Sequence, residues 1–202
     1  TRSPTVTGVQ TCALPIFFGV GYCTAVWDAP APAPVRLARE TVTRLLSGRP
    51  LPERGSDVCA SPLWGRTAAC FVSIKTSRGA LRGCIGTLAP SQATLDREII
   101  ENAVAAATRD PRVPPMTAEE LEGVRLSVDV LSDPEPVEGV EQLDPRLWGV
   151  IVSKGWRRGV LLPDLEGVDT AEQQVEIAAR KAGLSSLEGV ALQRFSVTRY
   201  RE

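Results

Sequence analysis

A cysteine among glycines is the part of this sequence best suited to chemistry. Cys84 lies between Gly83 and Gly86, and Arg82 precedes it by two residues. Glycine beside a reactive side chain lets a ligand or another backbone approach closely, while an arginine can bind an anionic group or lower the pKa of a neighbouring thiol. Cys84 is therefore a candidate nucleophile, covalent carrier or radical relay. The alternative is a small apolar residue buried in a strand, where the glycines serve tight packing.

The absence of histidine limits how such a cysteine could be activated. The chain contains no histidine, which excludes Ser-His-Asp and Cys-His catalysis and mixed Cys/His zinc sites within it. A catalytic base would be a carboxylate or a lysine, and Glu101 and Lys75 are the candidates. Asn102 follows Glu101 on a predicted helix, and either residue could face the cysteine or bond the helix to a strand. The sequence has neither a Cys-x-x-Cys pair nor a Gly-rich phosphate loop, so no metal and no organic cofactor are predicted.

Further arginines could complete an anion-binding site. Arg112 could form a pocket with Arg82, or it could lock a turn by pairing with Asp110 after the end of a helix. Arg158 could line the same cleft, or it could belong to a charged turn between two strands. The sequence leaves both pairs of alternatives open.

The elements that position these residues follow from periodicity and turn chemistry. Helices are predicted at residues 35–47, 91–108 and 170–182, the second capped by Ser91. A short helix is predicted after a capping box of Thr117 and Glu120. Strands are predicted at residues 67–75, 80–85, 124–131, 150–153, 159–162 and 191–200. Because the strands come in hairpins with helices between them, the pattern predicts an α+β fold with a mainly antiparallel sheet and flanking helices. No internal repeat is visible.

The region that precedes the main domain divides into two parts. Residues 6–16 read VTGVQTCALPI, which a common sequencing adapter encodes in frame, so residues 1–16 are predicted to be an assembly artefact. Residues 17–33 are predicted to be one strand and a stiff Ala-Pro linker. The strand is either the tail of a preceding domain or an addition to the same domain. Residues 34–202 form the main domain, which is long enough to bury a core without disulfides or metals.

Composition and charge narrow the classes of function. Lys and Arg number 23 against 24 Asp and Glu, and because nucleic-acid binders usually carry a basic excess, no nucleic-acid partner is expected. No apolar run of about 18 residues occurs, so no membrane span is expected. No secretory signal is expected, and the cytoplasm is the expected compartment.

The six residues Leu81–Gly86, which read LRGCIG, resemble the hallmark of the AmmeMemoRadiSam system protein A family, also called the AMMECR domain. The other motifs of the family follow in order: ENA at 101–103, RDPR at 109–112, PP at 114–115, SVDVL at 127–131, PEP at 134–136, GVIV at 149–152, RRGVLLP at 157–163 and RKAGL at 180–184. The resemblance covers about residues 34–200. It implies an α+β fold with a main sheet and a smaller second lobe.

The resemblance also implies a setting. Family members resemble one component of a system that includes a Memo-like protein and a radical SAM protein, so these two are the expected partners. Memo-like proteins resemble extradiol dioxygenases, and some family members carry such a domain in the same chain. Residues 17–25, FFGVGYCTA, look like the closing strand of that domain, so this chain is expected to be the C-terminal part of a fusion. The family brings no settled molecular activity.

Three functions therefore stay open. The first is an enzyme component that modifies a small molecule or a partner protein, which predicts that Cys84, Arg82 and a carboxylate converge in a concave site. The second is a non-catalytic binding or scaffold module, which predicts a buried Cys84 without polar neighbours and an exposed apolar patch elsewhere. The third is a regulatory factor in transcription, translation or repair, against which the near-neutral charge argues weakly.

Overall fold

Three α-helices and ten strands make up the regular structure in this computed structural model, which describes residues 9–16, 19–26, 30–53 and 65–202. The helices are α1 (Ala33–Leu46), α2 (Leu95–Thr108) and α3 (Ala171–Lys181). The strands are β1 (Val9–Ile16), β2 (Gly19–Val26), β3 (Cys70–Thr76), β4 (Leu81–Gly86), β5 (Val124–Leu131), β6 (Glu135–Val137), β7 (Gly149–Lys154), β8 (Arg157–Leu161), β9 (Ala191–Phe195) and β10 (Val197–Arg201). The chain thus has the predicted α+β fold.

The N-terminal strands β1 and β2 pair with each other in an antiparallel hairpin. The strand predicted over residues 17–27 is observed as β2, and residues 17, 18 and 27 lie outside the described part of the chain. Residues 1–8 of the expected adapter segment also lie outside it. The origin of residues 1–16 and the fusion with an upstream domain stay predictions.

The first lobe is a four-stranded antiparallel sheet with two helices on one face. Its strand order is β10-β5-β3-β4. Side chains alternate between the two faces of a strand, and Val72 and Ile74 of β3 are fully buried against Leu37 of α1 and Ile99 of α2. The apolar period of each helix and the alternation of each strand therefore produce one core on the helix side of this sheet.

The second lobe repeats this plan on a smaller scale. Its antiparallel sheet has the order β6-β9-β7-β8, and α3 covers one face. Val150 and Val152 of β7 pack with Val175 and Ala178 of α3. The predicted smaller second lobe is therefore a sheet-and-helix layer of its own.

The two lobes share a topology that the sequence does not reveal. In the first lobe the chain runs β3-β4-α2-β5, and in the second it runs β7-β8-α3-β9, with the same order of pairing in each sheet. The fourth strands are exchanged: β6 follows β5 but joins the second sheet, and β10 follows β9 but joins the first. The fold is thus a strand-exchanged internal repeat of a ββαβ unit.

A junction of apolar side chains joins the lobes. Leu131 from the first sheet packs with Ile151 and Phe195 from the second, and Phe71 and Val160 adjoin this cluster. All of them belong to the sheet faces that the helices do not cover, because their neighbours along each strand form the helix-side cores. The helix-free faces of the two sheets therefore meet at the junction.

The structure corrects several predicted boundaries. The strand predicted over residues 191–200 is two strands in different sheets, separated by Ser196, because β9 and β10 pair with different lobes. A short strand, β6, lies over Glu135–Val137, where no strand is predicted from the sequence. Helix α2 begins four residues later than predicted, because Ser91 binds the buried Glu98 carboxylate instead of capping the helix.

The capping box at Thr117 is present, but it begins a 3₁₀ turn over Ala118–Gly123 and not an α-helix. None of the helices that the structure describes is long and apolar enough to cross a membrane.

Each repeat depends on one glycine where a helix crosses the second strand of its hairpin. A β-carbon on Gly83 would lie 2.0 Å from the Ala106 carbonyl oxygen, and one on Gly159 would lie 1.9 Å from the Ala178 carbonyl oxygen. Gly83→Ala and Gly159→Ala are therefore each expected to lower the free energy of unfolding by about 1–3 kcal/mol or more in urea denaturation. Gly123→Ala, whose β-carbon meets nothing within 4 Å, is the matched control. Equal stability of all three variants would contradict the close helix contacts.

Candidate functional site

The helix-free face of the first sheet carries a row of polar side chains. In the strand register, Cys84 of β4 pairs with Ser73 of β3, Ser73 pairs with Ser127 of β5, and Ser127 pairs with Arg201 of β10. Because strands repeat every two residues, all four side chains project from the face opposite α1 and α2. We call this surface the open face of the first lobe.

Cys84 has polar neighbours on this face. Its side chain is half-buried, and its Sγ lies 3.1 Å from the Ser73 Oγ, with either atom able to donate. The Arg112 guanidinium donates to the Cys84 carbonyl at 2.8 Å, and its pKa is raised mainly by its hydrogen bond with Asp110, with a smaller contribution from Cys84. The thiol thus lies beside a hydroxyl, on a residue that a cation binds, and outside the helix-side core.

The backbone of Cys84 is held by side chains and not by another strand. β4 is an edge strand of the sheet. The Cys84 amide donates to the Asp110 Oδ2 at 2.8 Å, and the Arg112 Nη2 donates to the Cys84 carbonyl at 2.8 Å. A carboxylate and a guanidinium therefore take the place of the acceptor and donor that a neighbouring strand would offer, which also protects the edge from pairing with other chains.

Asp110 is the centre of this arrangement. Its side chain is fully buried, and besides the Cys84 amide it accepts hydrogen bonds from the backbone amide and the guanidinium of Arg112, at 2.7–3.0 Å. The hydrogen bond from the Arg112 guanidinium, helped by the two amides, holds the pKa of Asp110 well below its usual range. Arg112 thus both locks a turn with Asp110 and reaches the candidate cysteine.

Arg82 belongs to a different ion pair. It binds Glu120 through two hydrogen bonds of 2.5 and 2.7 Å, and it also donates to the carbonyls of Pro114 and Pro115. The Arg82 hydrogen bond lowers the pKa of Glu120 to about 2. The structure therefore does not bring Arg82 and Arg112 into one anion pocket. Through these contacts, Arg82 binds the segment that follows α2 to strand β4.

The two signature glycines have packing roles. Gly83 lies under the Ala106 carbonyl of α2, and a β-carbon on Gly86 would lie 2.3 Å from the Phe71 ring. Both glycines let another group approach closely, as the sequence predicts. In each case that group belongs to the chain itself.

The remaining predicted residues lie away from Cys84. Asn102 of α2 donates to the Cys70 carbonyl at 3.0 Å, which is the helix-to-strand bond that the sequence left open. Glu101 is exposed on the same helix and lies 3.6 Å from Arg109. Since α2 covers the face opposite the open face, neither residue is placed to act on the thiol. Arg158 is exposed on β8 in the second lobe.

Cys70 is an internal contrast to Cys84. It lies on the helix side of β3 and is fully buried, and this burial raises its pKa to about 12. A thiol with such a pKa is inert at neutral pH. On adjacent strands, Cys70 therefore occupies a core position and Cys84 a position on the open face.

Several polar residues on the open face, among them Ser73, Asp129 and Arg199, were not singled out in the sequence. Ser73 contacts the thiol, and Asp129 binds Arg199 through two hydrogen bonds of 2.7 and 2.9 Å. The alternation of polar and apolar residues in β3 and β5 could have revealed this polar face, had the two strands been compared with each other. In the part of the chain that the structure describes, no three His, Cys, Asp or Glu side chains converge as metal ligands would.

Comparison with known proteins identifies the family. The profile of the AMMECR1 family matches residues 35–202. The chain belongs to the AMMECR1 family. A protein of Thermotoga maritima is 52% identical over 140 residues, which cover 69% of this chain and 80% of that protein. The uncharacterised protein PH0010 of Pyrococcus horikoshii, whose crystal structure is known, superposes with a TM-score of 0.75 at 30% identity over 84% of this chain and 89% of that one.

One AMMECR1 relative is much longer than this chain. A protein of Clostridium acetobutylicum is 43% identical over 168 residues, which span 83% of this chain and 36% of the relative. The resemblance drawn from LRGCIG and the motifs after it is confirmed at the level of the family.

The Asp110 network of this AMMECR1 domain predicts a pH-dependent stability. Because the pKa of Asp110 is lower in the folded than in the unfolded chain, its stabilisation is complete above about pH 5 and is lost as the pH falls towards the folded value. Asp110→Asn is therefore expected to lower the free energy of unfolding by about 1–3 kcal/mol at pH 7, with the deficit shrinking between about pH 5 and pH 2. Urea denaturation at several pH values measures it. The exposed Asp133→Asn is the control, and a deficit that does not change with pH would contradict the role of the carboxylate.

Proposed function

We propose that this AMMECR1 domain is an enzyme component that binds a small molecule on the open face of its first lobe and reacts with it through Cys84. The observation that carries the proposal is the environment of the Cys84 sulphur. Cys84 is half-buried, its sulphur lies 3.1 Å from the Ser73 hydroxyl, and its backbone is bound by the Asp110 carboxylate and the Arg112 guanidinium. A positioned thiol beside a hydrogen-bond donor and a cation is a common environment of nucleophilic cysteines.

The internal repeat supports the same assignment. At the register positions of Cys84 and Ser73, the second lobe has Val160 and Ile151. Those apolar residues are used in the junction between the lobes. The ββαβ unit can therefore form with apolar residues at these two positions. It does not require the polar pair of Cys84 and Ser73.

The proposed chemistry is addition of the thiolate to an electrophilic carbon. The thiol proton leaves to solvent, the sulphur forms the new bond with its own electron pair, and the displaced pair of the substrate double bond moves to the substrate oxygen. Arg112, whose side chain is 57% exposed, would donate a hydrogen bond to that oxygen. The Ser73 hydroxyl at the sulphur and the Arg112 guanidinium at the Cys84 carbonyl are the polar groups that would assist this step.

The family resemblance extends this proposal to partners. We propose that a Memo-like protein and a radical SAM protein supply or consume the small molecule in the cytoplasm. The AMMECR1 domain would then hold the molecule covalently on Cys84 between two steps of one pathway.

The Cys84 proposal predicts selective alkylation of the native chain. Iodoacetamide at pH 7.5, with peptide mass spectrometry to read each cysteine, should modify Cys84 in the folded protein and Cys70 only after unfolding. Ser73→Ala is expected to slow Cys84 alkylation by roughly 3–10-fold, because the thiolate loses a hydrogen bond. Ser127→Ala removes the next hydroxyl in the row without touching the thiol and should leave the rate unchanged. A Cys84 that reacts only on denaturation would reject nucleophilic catalysis.

A second candidate function is supported by an exposed aromatic residue. Trp156, at the tip of the β7–β8 hairpin, is 89% exposed, and Leu187 is 41% exposed. Lys154 donates to the Glu188 carbonyl, which holds the loop of Leu187 against the hairpin. Exposed tryptophan is enriched at the centres of protein interfaces. This surface therefore supports a docking role for the second lobe, which can coexist with chemistry in the first.

The docking role has a direct test. Calorimetric titration of this chain with the purified Memo-like protein of the same organism should give binding that Trp156→Ser weakens by about tenfold or more. Leu147→Ser, which changes another exposed apolar side chain away from the hairpin tip, should bind as the unaltered chain does. Equal affinity of both variants would exclude the Trp156 surface.

A further inference from the structure

The open face of the first lobe carries cations beside the candidate cysteine. Lys75 of β3 and Arg125 of β5 are direct cross-strand partners, and both are exposed. Arg201 of β10 is exposed beside them, opposite Ser127. Like charges that face each other across a sheet destabilise it. The three cations project from the face opposite the helices, so packing of the core does not explain their positions.

The other charges of this face are already neutralised. Arg199 is bound by Asp129, and Arg112 is bound by Asp110. Glu202 interacts electrostatically with Arg125, but its carboxylate accepts its hydrogen bonds from Arg39 and from the Leu126 amide. In the described ranges of the chain, no carboxylate lies within ion-pair distance of Lys75, Arg125 or Arg201.

We propose that Lys75, Arg125 and Arg201 bind an oxyanion, a phosphoryl or carboxylate group, of the small molecule that reaches Cys84. This inference deepens the proposed function, because it names the charge of the substrate, but the anion site does not require a reactive cysteine. Arginine and lysine are the side chains that most often recognise such groups. A bound anion would remove the repulsion between Lys75 and Arg125.

The geometry also sets a length for the molecule. Neighbouring strands lie about 4.8 Å apart, so Arg201 and Cys84, three strands apart in one row, are separated by about 14 Å between their α-carbons. Arg125 and Lys75 lie between these limits along the sheet. A substrate whose anionic group is roughly 6–10 Å from its electrophilic carbon would span this interval, and Ser127 lies below its middle.

The experiment is calorimetric titration of the full chain with inorganic pyrophosphate at low ionic strength, with citrate as the carboxylate arm. Saturable binding is expected for at least one of the two anions. The anion that binds with the higher affinity shows whether the site prefers a phosphoryl or a carboxylate group. The double variant Lys75→Gln/Arg125→Gln should weaken that binding by about tenfold or more, because two charge-assisted hydrogen bonds are lost. Lys154→Gln/Arg157→Gln removes the same charge from the second lobe and should leave binding unchanged. The first double variant should unfold at the same or a higher temperature, because it removes repulsion.

The outcomes separate this inference from the proposed function. Absence of saturable binding by the unaltered chain to both anions, or equal weakening by the two double variants, would overturn the anion site. Iodoacetate and iodoacetamide give a second readout, since the ratio of their rates at Cys84 reports the local charge independently of the reactivity of the thiol. Pyrophosphate or citrate binding with an inert Cys84 would support the anion site and reject the reactive cysteine, whereas a reactive Cys84 without anion binding would do the reverse.

Discussion

The position of β4 as an edge strand is the constraint on which the rest of this structure depends. A strand with one neighbour leaves half of its amides and carbonyls without partners, and β4 meets this need with the side chains of Asp110 and Arg112. On its inner side, Gly83 lets α2 approach until their backbones touch. Because the strand is held on both sides, Cys84 projects from a fixed backbone onto the open face. The network that stabilises the edge also supplies the cation that binds the Cys84 backbone.

The internal repeat separates scaffold from function within one chain. Arg82 and Gly83 have counterparts in Arg158 and Gly159, and both glycines lie under a helix carbonyl. The Arg-Gly step is therefore a feature of the repeated hairpin, whereas the residue that follows it is Cys84 in one lobe and valine in the other. Both lobes use part of their helix-free face in the junction, and in the first lobe Cys84 and Ser73 lie on the same face outside that cluster. The proposed function is thus assigned to the part of the open face that the junction does not use.

Much of the fold followed from local patterns in the sequence. The helices, the hairpins and the α+β class were predictable because their apolar periods and turn residues are local signals. The exchange of strands was not, since one stretch predicted as a single strand, residues 191–200, serves two sheets, and nothing local marks the change at Ser196. At the site, Cys84 and Arg112 could be named from residue type, but the partners of Arg82 and Asn102 depend on which face of the sheet each element covers. Ser73 was missed because a single serine in a strand has no motif.

The protection of one backbone amide tests this account most directly. Amide hydrogen exchange, followed by NMR, should show the Cys84 amide exchanging much more slowly than an open strand edge allows, because its hydrogen is bound to the buried Asp110 carboxylate. In Asp110→Ala that protection should be lost, while the amides that pair β3 with β5 remain protected. Rapid exchange at Cys84 in the unaltered chain would mean that the edge is not held, and the fixed presentation of the thiol would then have to be abandoned.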